Sequence, residues 1–203
     1  MTETPNVPVA ARPAASLILL RESTSGPQIL MGTRGAGHKF MPNRLVFPGG
    51  AVDPGDHNAA CATMLPAHST FRLGGVDAGS LPMALAIAAA RETEEETGLS
   101  LGQPPRLDGL DYLCRAVTPA TSPVRFDARF FVVDASLASG SLSGSGELEG
   151  LRFYDMAEAM ALDLALATRF VFERLQAWRA QTPEQRAAQT QVAVLRNRVW
   201  ALE

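Results

Sequence analysis

The sequence predicts a mixed α/β (α+β) protein with a mixed or mostly antiparallel sheet and one central functional helix. Three observations carry this. Short runs rich in β-branched, aliphatic and aromatic residues recur between turn-forming stretches. One Ala-rich stretch, Ala84–Ala90, carries helix signals at both ends, and beyond Asp155 the apolar spacing turns helical through Gln181.

Taken in order, Ala14–Leu20 and Gln28–Gly32 flank the turn-rich ESTSG and read as a hairpin, preceded by a flexible tail over residues 1–13. A basic, glycine-containing loop, Arg34–Asn43, leads to Leu45–Phe47, which Pro48-Gly49-Gly50 should end. Residues 51–80 are irregular, and a structureless stretch of that length inside a domain points to an insertion, about 57–80. The helix that follows has Ser80 as N-cap, Pro82 in its first turn and Gly98 as a left-handed C-terminal residue. Asp111–Val117, Phe126–Asp134 and Leu148–Tyr154 read as further strands. Thr182-Pro183-Glu184-Gln185 resembles a capping box, and Val192–Trp200 reads as helix or strand, so the C-terminal segment 156–203 is expected to be chiefly helical.

The 203 residues suit a single domain over 14–203, with 46% hydrophobic and 19% charged residues giving an ordinary globular balance. A net charge of −3, from 18 basic and 21 acidic side chains, offers no broad positive field, so no nucleic-acid partner is expected. Two cysteines, Cys61 and Cys114, are too few for a disulfide framework and fit a reducing compartment. The N-terminus lacks the pattern of a secretory signal and no apolar run reaches the ~20 residues of a membrane span, so a cytoplasmic protein without a membrane partner is expected.

The chemistry concentrates in Arg91-Glu92-Thr93-Glu94-Glu95-Glu96-Thr97-Gly98. Residues spaced by three and four share a helix face, so Glu92, Glu95 and Glu96 converge while Glu94 points elsewhere. A helix C-terminus carries roughly −0.5 of an elementary charge, which disfavours acids there, and like charges at that spacing repel further. Arg91 alone cannot neutralise them. The economical compensation is a divalent cation, and carboxylates without His or Cys at ligand spacing favour Mg2+ or Mn2+ over Zn2+. Mg2+ usually shares its shell with substrate phosphates, which points to metal-assisted attack of water on a phosphate or diphosphate.

These residues resemble the signature of the Nudix hydrolases, G-x5-E-x7-R-E-U-x-E-E-x-G-U with U aliphatic. Arg91 to Leu99 match its second half at every position except Thr93. The first half resembles Phe47 to Asp56, with Gly50 at the glycine and Asp56 in place of the first Glu. Residues 57–90 number 34 where the signature has 7, an insertion of 27. An interrupted box of this kind resembles a subgroup that includes coenzyme A diphosphatases.

The resemblance implies an α/β/α sandwich with a mixed β-sheet and extra C-terminal helices. It further implies hydrolysis of a small-molecule nucleoside diphosphate derivative, such as coenzyme A or acyl-coenzyme A, with Mg2+ or Mn2+ as cofactor. By position, Glu95 and Glu96 are the principal metal ligands, and Glu92 is a further ligand or the base. Arg91 orients the carboxylates, while Gly50 and Gly98 shape the loop and the helix exit. Asp56 belongs to the motif but is shorter than the family's Glu. Glu147, and less so Glu149, are candidates for another acid near the metal. Arg34, His38, Lys39 and Arg44, with Gly49 and Gly50, are candidates for substrate contact, as are Arg125 and Arg129. His57 and His68 lie in the insertion, where a flap over the substrate is one reading. Phe170, Phe172, Leu175 and Trp178 offer either packing or a homodimer surface. The alternative to an enzyme is a non-catalytic Nudix-like module that senses or binds a nucleotide.

Overall fold

The computed structural model describes residues 9–37 and 41–203. The chain begins with strands β1 (Arg12–Ser23), β2 (Gly26–Arg34), β3 (Leu45–Val46) and β4 (Gly49–Ala51). Helix α1 (Ala67–Arg72), helix α2 (Leu81–Thr97) and strands β5 (Leu99–Ser100), β6 (Asp111–Val117), β7 (Phe126–Asp134) and β8 (Ser139–Gly140) follow. Strand β9 (Leu148–Asp155), helices α3 (Met156–Ala161), α4 (Leu166–Arg179) and α5 (Pro183–Ala187), and strands β10 (Ala193–Arg196) and β11 (Val199–Leu202) complete it.

The main sheet runs β11-β10-β6-β7-β1-β2-β3, with β4 added against β1 and β9 against β2. It is mixed: β1 pairs parallel with β7, and β10 parallel with β6, while the hairpin partners are antiparallel. Strand β1 shows why helices cover both faces. Its Ala15, Leu17 and Leu19 join α2 in one buried cluster, and Ile18 and Leu20 join α4 in the other. A period-two strand that is apolar on both faces needs a layer on each side. The alanines of α2 present almost no side-chain bulk, and Ala84, Ala86, Ala88 and Ala89 are fully buried against the sheet. The result is a helix-sheet-helix sandwich.

Several boundaries differ from the sequence reading. Arg12 and Pro13 belong to β1, paired with Phe126 and Asp127, so a tail reaching residue 13 is too long. The insertion is not structureless: it holds α1 and two short 3-10 turns, Pro54–His57 and Gly75–Ala78. Its α1 packs on the sheet rather than over the glutamates, with Ser69 Oγ accepting from Tyr112 N–H at 3.0 Å. Asp111, at the start of β6, accepts from Arg72 (2.6 Å), Trp178 Nε1 (2.6 Å) and His68 Nε2 (3.2 Å), fastening insertion and α4 to one strand end.

The C-terminal segment is helical only in part. Thr182 and Gln185 form the reciprocal capping box, but α5 is short and residues 193–202 form a hairpin. Asn197 and Arg198, both at positive φ (49° and 67°), make the two-residue turn that matches strand twist. Phe170, Phe172 and Leu175 are buried against the sheet. Trp178, half-buried, bonds Asp111, and packing within one chain accounts for these four residues. No helix among the described residues is long and apolar enough to cross a membrane.

Candidate active site

Helix α2 presents the acidic residues because its ends are fixed. Gly98 adopts φ +73°, and its N–H caps the Glu94 carbonyl at 2.9 Å. Thr93, where the signature has an aliphatic residue, is buried and donates its hydroxyl to the Ala89 carbonyl at 2.7 Å. The hydroxyl is thereby satisfied inside the helix, so the departure leaves no orphaned polar group. Glu94 points away, accepting from Ser100 Oγ (2.9 Å) and Gln103 Nε2 (2.7 Å).

Glu96 is only 3% exposed and accepts a hydrogen bond from the Gly49 N–H at 2.8 Å. Burial raises its pKa to about 7, against the opposing pull of that bond and of Arg34, and with repulsion from Glu92 and Glu147 adding to it. Glu92 lies over Gly50, where a Cβ would come closer to its carboxylate than any real contact allows. Burial also pushes the Glu92 pKa up, offset by Arg91 and reinforced by Glu95 and Glu147. Gly49 and Gly50, expected from sequence to contact substrate, stand here against the buried Glu96 and the half-buried Glu92.

Arg91 is the hub. Its Nε and one Nη reach the two oxygens of Asp56 at 3.1 Å each, and the same Nη donates to the Ala51 carbonyl at 3.1 Å. The other Nη donates to Glu92 at 2.8 Å and to Glu95 at 3.1 Å. Asp56, itself 4% exposed, also accepts from the Asp53 N–H at 2.8 Å. Both Asp56 oxygens are therefore spent on Arg91 and the loop, which makes Asp56 a positioning residue. Glu95 is the most exposed of the three glutamates.

The remaining candidates divide sharply. Glu147, exposed in the loop before β9, lies near enough to Glu92 and Glu96 to raise both pKa values, and its carbonyl accepts from Gly35 N–H at 3.4 Å. Arg34, at the end of β2, approaches the Gly49 carbonyl at 3.5 Å and attracts Glu96, while its buried Nε has no hydrogen-bond partner among the described residues. Arg44 is directed elsewhere, ion-paired with Asp163 and donating to its carbonyl. Lys39, with His38, lies outside the described residues. Glu149 is exposed and Arg129 is paired with Asp127 at 2.9 Å. Arg125 bonds the Thr118 carbonyl at 3.2 Å. His57 bonds Ser80, and His68 bonds Asp111, so both serve the insertion. The sequence reading missed Asp111 and the Asp56–Arg91 fork; nothing local in the sequence signals either.

Among the described residues, no three His, Cys, Asp or Glu side chains are already gathered as ligands. Arg91 holds Glu92 and Glu95, and the Gly49 amide holds Glu96. The donor set nevertheless fits a hard divalent cation. It consists of the carboxylates of Glu92, Glu95 and Glu96, of which Glu96 is buried and Glu92 half-buried and the two repel each other, flanked by a fourth acid, Glu147.

No family model matches the chain. A stretch of 45 residues is 53% identical to putative nudix hydrolase 7 from Caenorhabditis elegans, covering 22% of this chain and 15% of that protein. The match therefore spans a small part of that relative's length. The NUDIX hydrolase from Alicyclobacillus acidocaldarius superposes with a TM-score of 0.64 at 26% identity, over 83% of this chain and 92% of that one. The MutT NUDIX hydrolase from Burkholderia pseudomallei, at 19% identity and TM-score 0.53 over 82% of this chain and 99% of its own, shares the fold. The fold, the matched segment and the solved structures together support the Nudix hydrolase family for this chain.

Proposed function

We propose that this protein is a Mg2+- or Mn2+-dependent hydrolase that cleaves the diphosphate linkage of a nucleoside diphosphate derivative. The observation that carries the reading is the convergence of Glu92, Glu95 and Glu96 around one arginine, with Glu92 and Glu96 backed by the Gly49-Gly50 turn. The interrupted box points further to coenzyme A or acyl-coenzyme A as substrate, and two free cysteines suit work in the cytoplasm.

Glu92, Glu95, Glu96 and Glu147 would hold the cation. When bound it would supply charge neutralisation for the diphosphate and a more acidic water. Arg91, anchored by Asp56, fixes where the Glu92 and Glu95 carboxylates stand. Glu92 serves as a further ligand or takes the proton of the attacking water. Arg34 brings an unfilled N–H beside Gly49 and Glu96, the donor a phosphate oxygen needs. Water adds to one phosphorus, the bridging P–O bond breaks, and the departing oxygen keeps its electron pair and takes a proton. Two phosphate-bearing products result.

A non-catalytic nucleotide-binding module would not need every acid of the signature helix, and this chain keeps them all. The deciding experiment is a substrate panel of coenzyme A, acyl-coenzyme A, dinucleotides and nucleotide sugars, with and without Mg2+ or Mn2+, read by mass spectrometry. Metal-dependent release of a phosphomonoester from at least one member is expected, with Glu95→Gln slowing it about 100-fold or more. No release across the panel, together with ligand binding indifferent to Glu95→Gln, would overturn the reading in favour of the binding module.

A further inference from the structure

Among the described residues, two arginines bury an Nε–H without a hydrogen-bond partner, Arg34 beside the glutamates and Arg174 on α4. Arg174 sits on the other face of the sheet from α2, since α4 packs against the opposite buried cluster. Its guanidinium lies over the Trp200 ring at 4.4 Å and makes no hydrogen bond or ion pair among the described residues. Stacking on an aromatic ring leaves the in-plane N–H edge of a guanidinium unfilled. The Nε itself is closed to solvent, so what Arg174, half-buried overall, offers the cleft is its Nη edge, which makes no hydrogen bond among the described residues.

The same arginine lines a cleft of about 440 Å3 between α4, the segment 181–191 and the β10–β11 hairpin. That volume falls within the range of small-molecule pockets. Arg174 is the sole charged residue lining it, so its charge meets no acid there. The polar lining consists of Gln181, Gln189, Gln191 and Thr190, all able to donate, and Leu113, Ala177 and Trp178 supply apolar wall. One amide is held from behind: Arg72, whose charge is met by Asp111 at 2.6 Å, approaches the Gln189 side-chain oxygen at 3.5 Å and orients it.

We propose that this cleft binds a small organic anion bearing a phosphate monoester, with Arg174 recognising the phosphate and the amides and Trp178 wall receiving the organic part. A planar fork of N–H donors with no acid among the residues lining the cleft suits a phosphate, and the cleft exceeds what a lone inorganic ion fills. Asp111, behind Trp178, is taken up by Arg72, His68 and the Trp178 Nε1–H. The site is separate from the glutamate site and requires neither its metal nor turnover.

The test is calorimetric titration of the full chain with adenosine monophosphate in EDTA, beside inorganic phosphate and adenosine. Saturable binding of the monophosphate is expected, with weaker binding of inorganic phosphate and none of adenosine. Arg174→Gln should weaken the monophosphate at least about tenfold. Should that variant misfold by circular dichroism, Gln191→Trp, which narrows the cleft from an exposed position, should abolish binding instead. Absence of binding to the wild type, or undiminished binding to the folded variant, overturns the proposal. Because no divalent ion or cleavage is involved, that outcome leaves the hydrolase reading where it stands.

Discussion

His57 Nδ1 and Ser80 Oγ share a hydrogen bond at 2.8 Å, so the two ends of the insertion meet side by side. A detour whose ends touch leaves the segments it separates in register. Asp56 still reaches Arg91, 35 residues later, through two bonds of 3.1 Å. Ser80 uses its hydroxyl on this clasp and makes no side-chain cap bond to α2, whose start relies instead on Pro82.

Asp56→Ala should remove about 1–2 kcal/mol of stability, because it strips a half-buried arginine of its bidentate partner and leaves Glu92 and Glu95 to hold it. Urea unfolding in EDTA would show the loss. Turnover should fall too, since Arg91 no longer has a fixed origin from which to hold Glu92 and Glu95.

Gly50→Ala should lower kcat by about 10–100-fold without changing the circular dichroism spectrum. The added Cβ has no room beside the Glu92 carboxylate, which must swing away. Normal turnover by this variant would show that the position of Glu92 is unimportant.

The metal-free protein should lose stability as pH rises from about 4.5 to about 7. Burial raises the Glu96 pKa to about 7 from 4.5, so the folded state binds more protons than the unfolded chain across that window. The stabilisation is full below the unfolded value and lost as pH climbs through the folded one, on the order of 2–3 kcal/mol. Thermal melts in EDTA at pH 5 and pH 8 should differ more for wild type than for Glu96→Gln, which has no proton to lose there.

Asp111→Ala should destabilise the fold by about 2–4 kcal/mol while leaving kcat at 25 °C unchanged. It frees Arg72, His68 and Trp178 together, but none of them touches the glutamates. Melting temperature and steady-state kinetics on the same preparation separate the two effects.

Helix α2 was legible because its signals are local: Pro82 near the start, alanines inside, glycine after the last turn. Strands β6 and β7 were legible from their Val, Phe and Tyr content between turn residues. The insertion was not, because α1 owes its place to Ser69 and Arg72 reaching Tyr112 and Asp111, partners about 40 residues away. The final hairpin was ambiguous because its turn uses Asn197-Arg198, and arginine is no turn signal. Within the site, the type and spacing of the glutamates could be read directly. That Arg91 holds Asp56, and that Arg44 turns to Asp163, depends on which strands lie beside one another.

The exit of α2 has one more effect. At Gly98, a side chain would collide with Ser143 Oγ and the Ser141 carbonyl, and Ser143 N–H donates to the Thr97 carbonyl at 2.9 Å. The stretch leading to Glu147 is thus buttoned to the helix at one end and to β9 at the other. Residues gained or lost between Ser143 and Glu147 would shift the Glu147 carboxylate, the proposed fourth ligand, while Glu92, Glu95 and Glu96 stay fixed by α2.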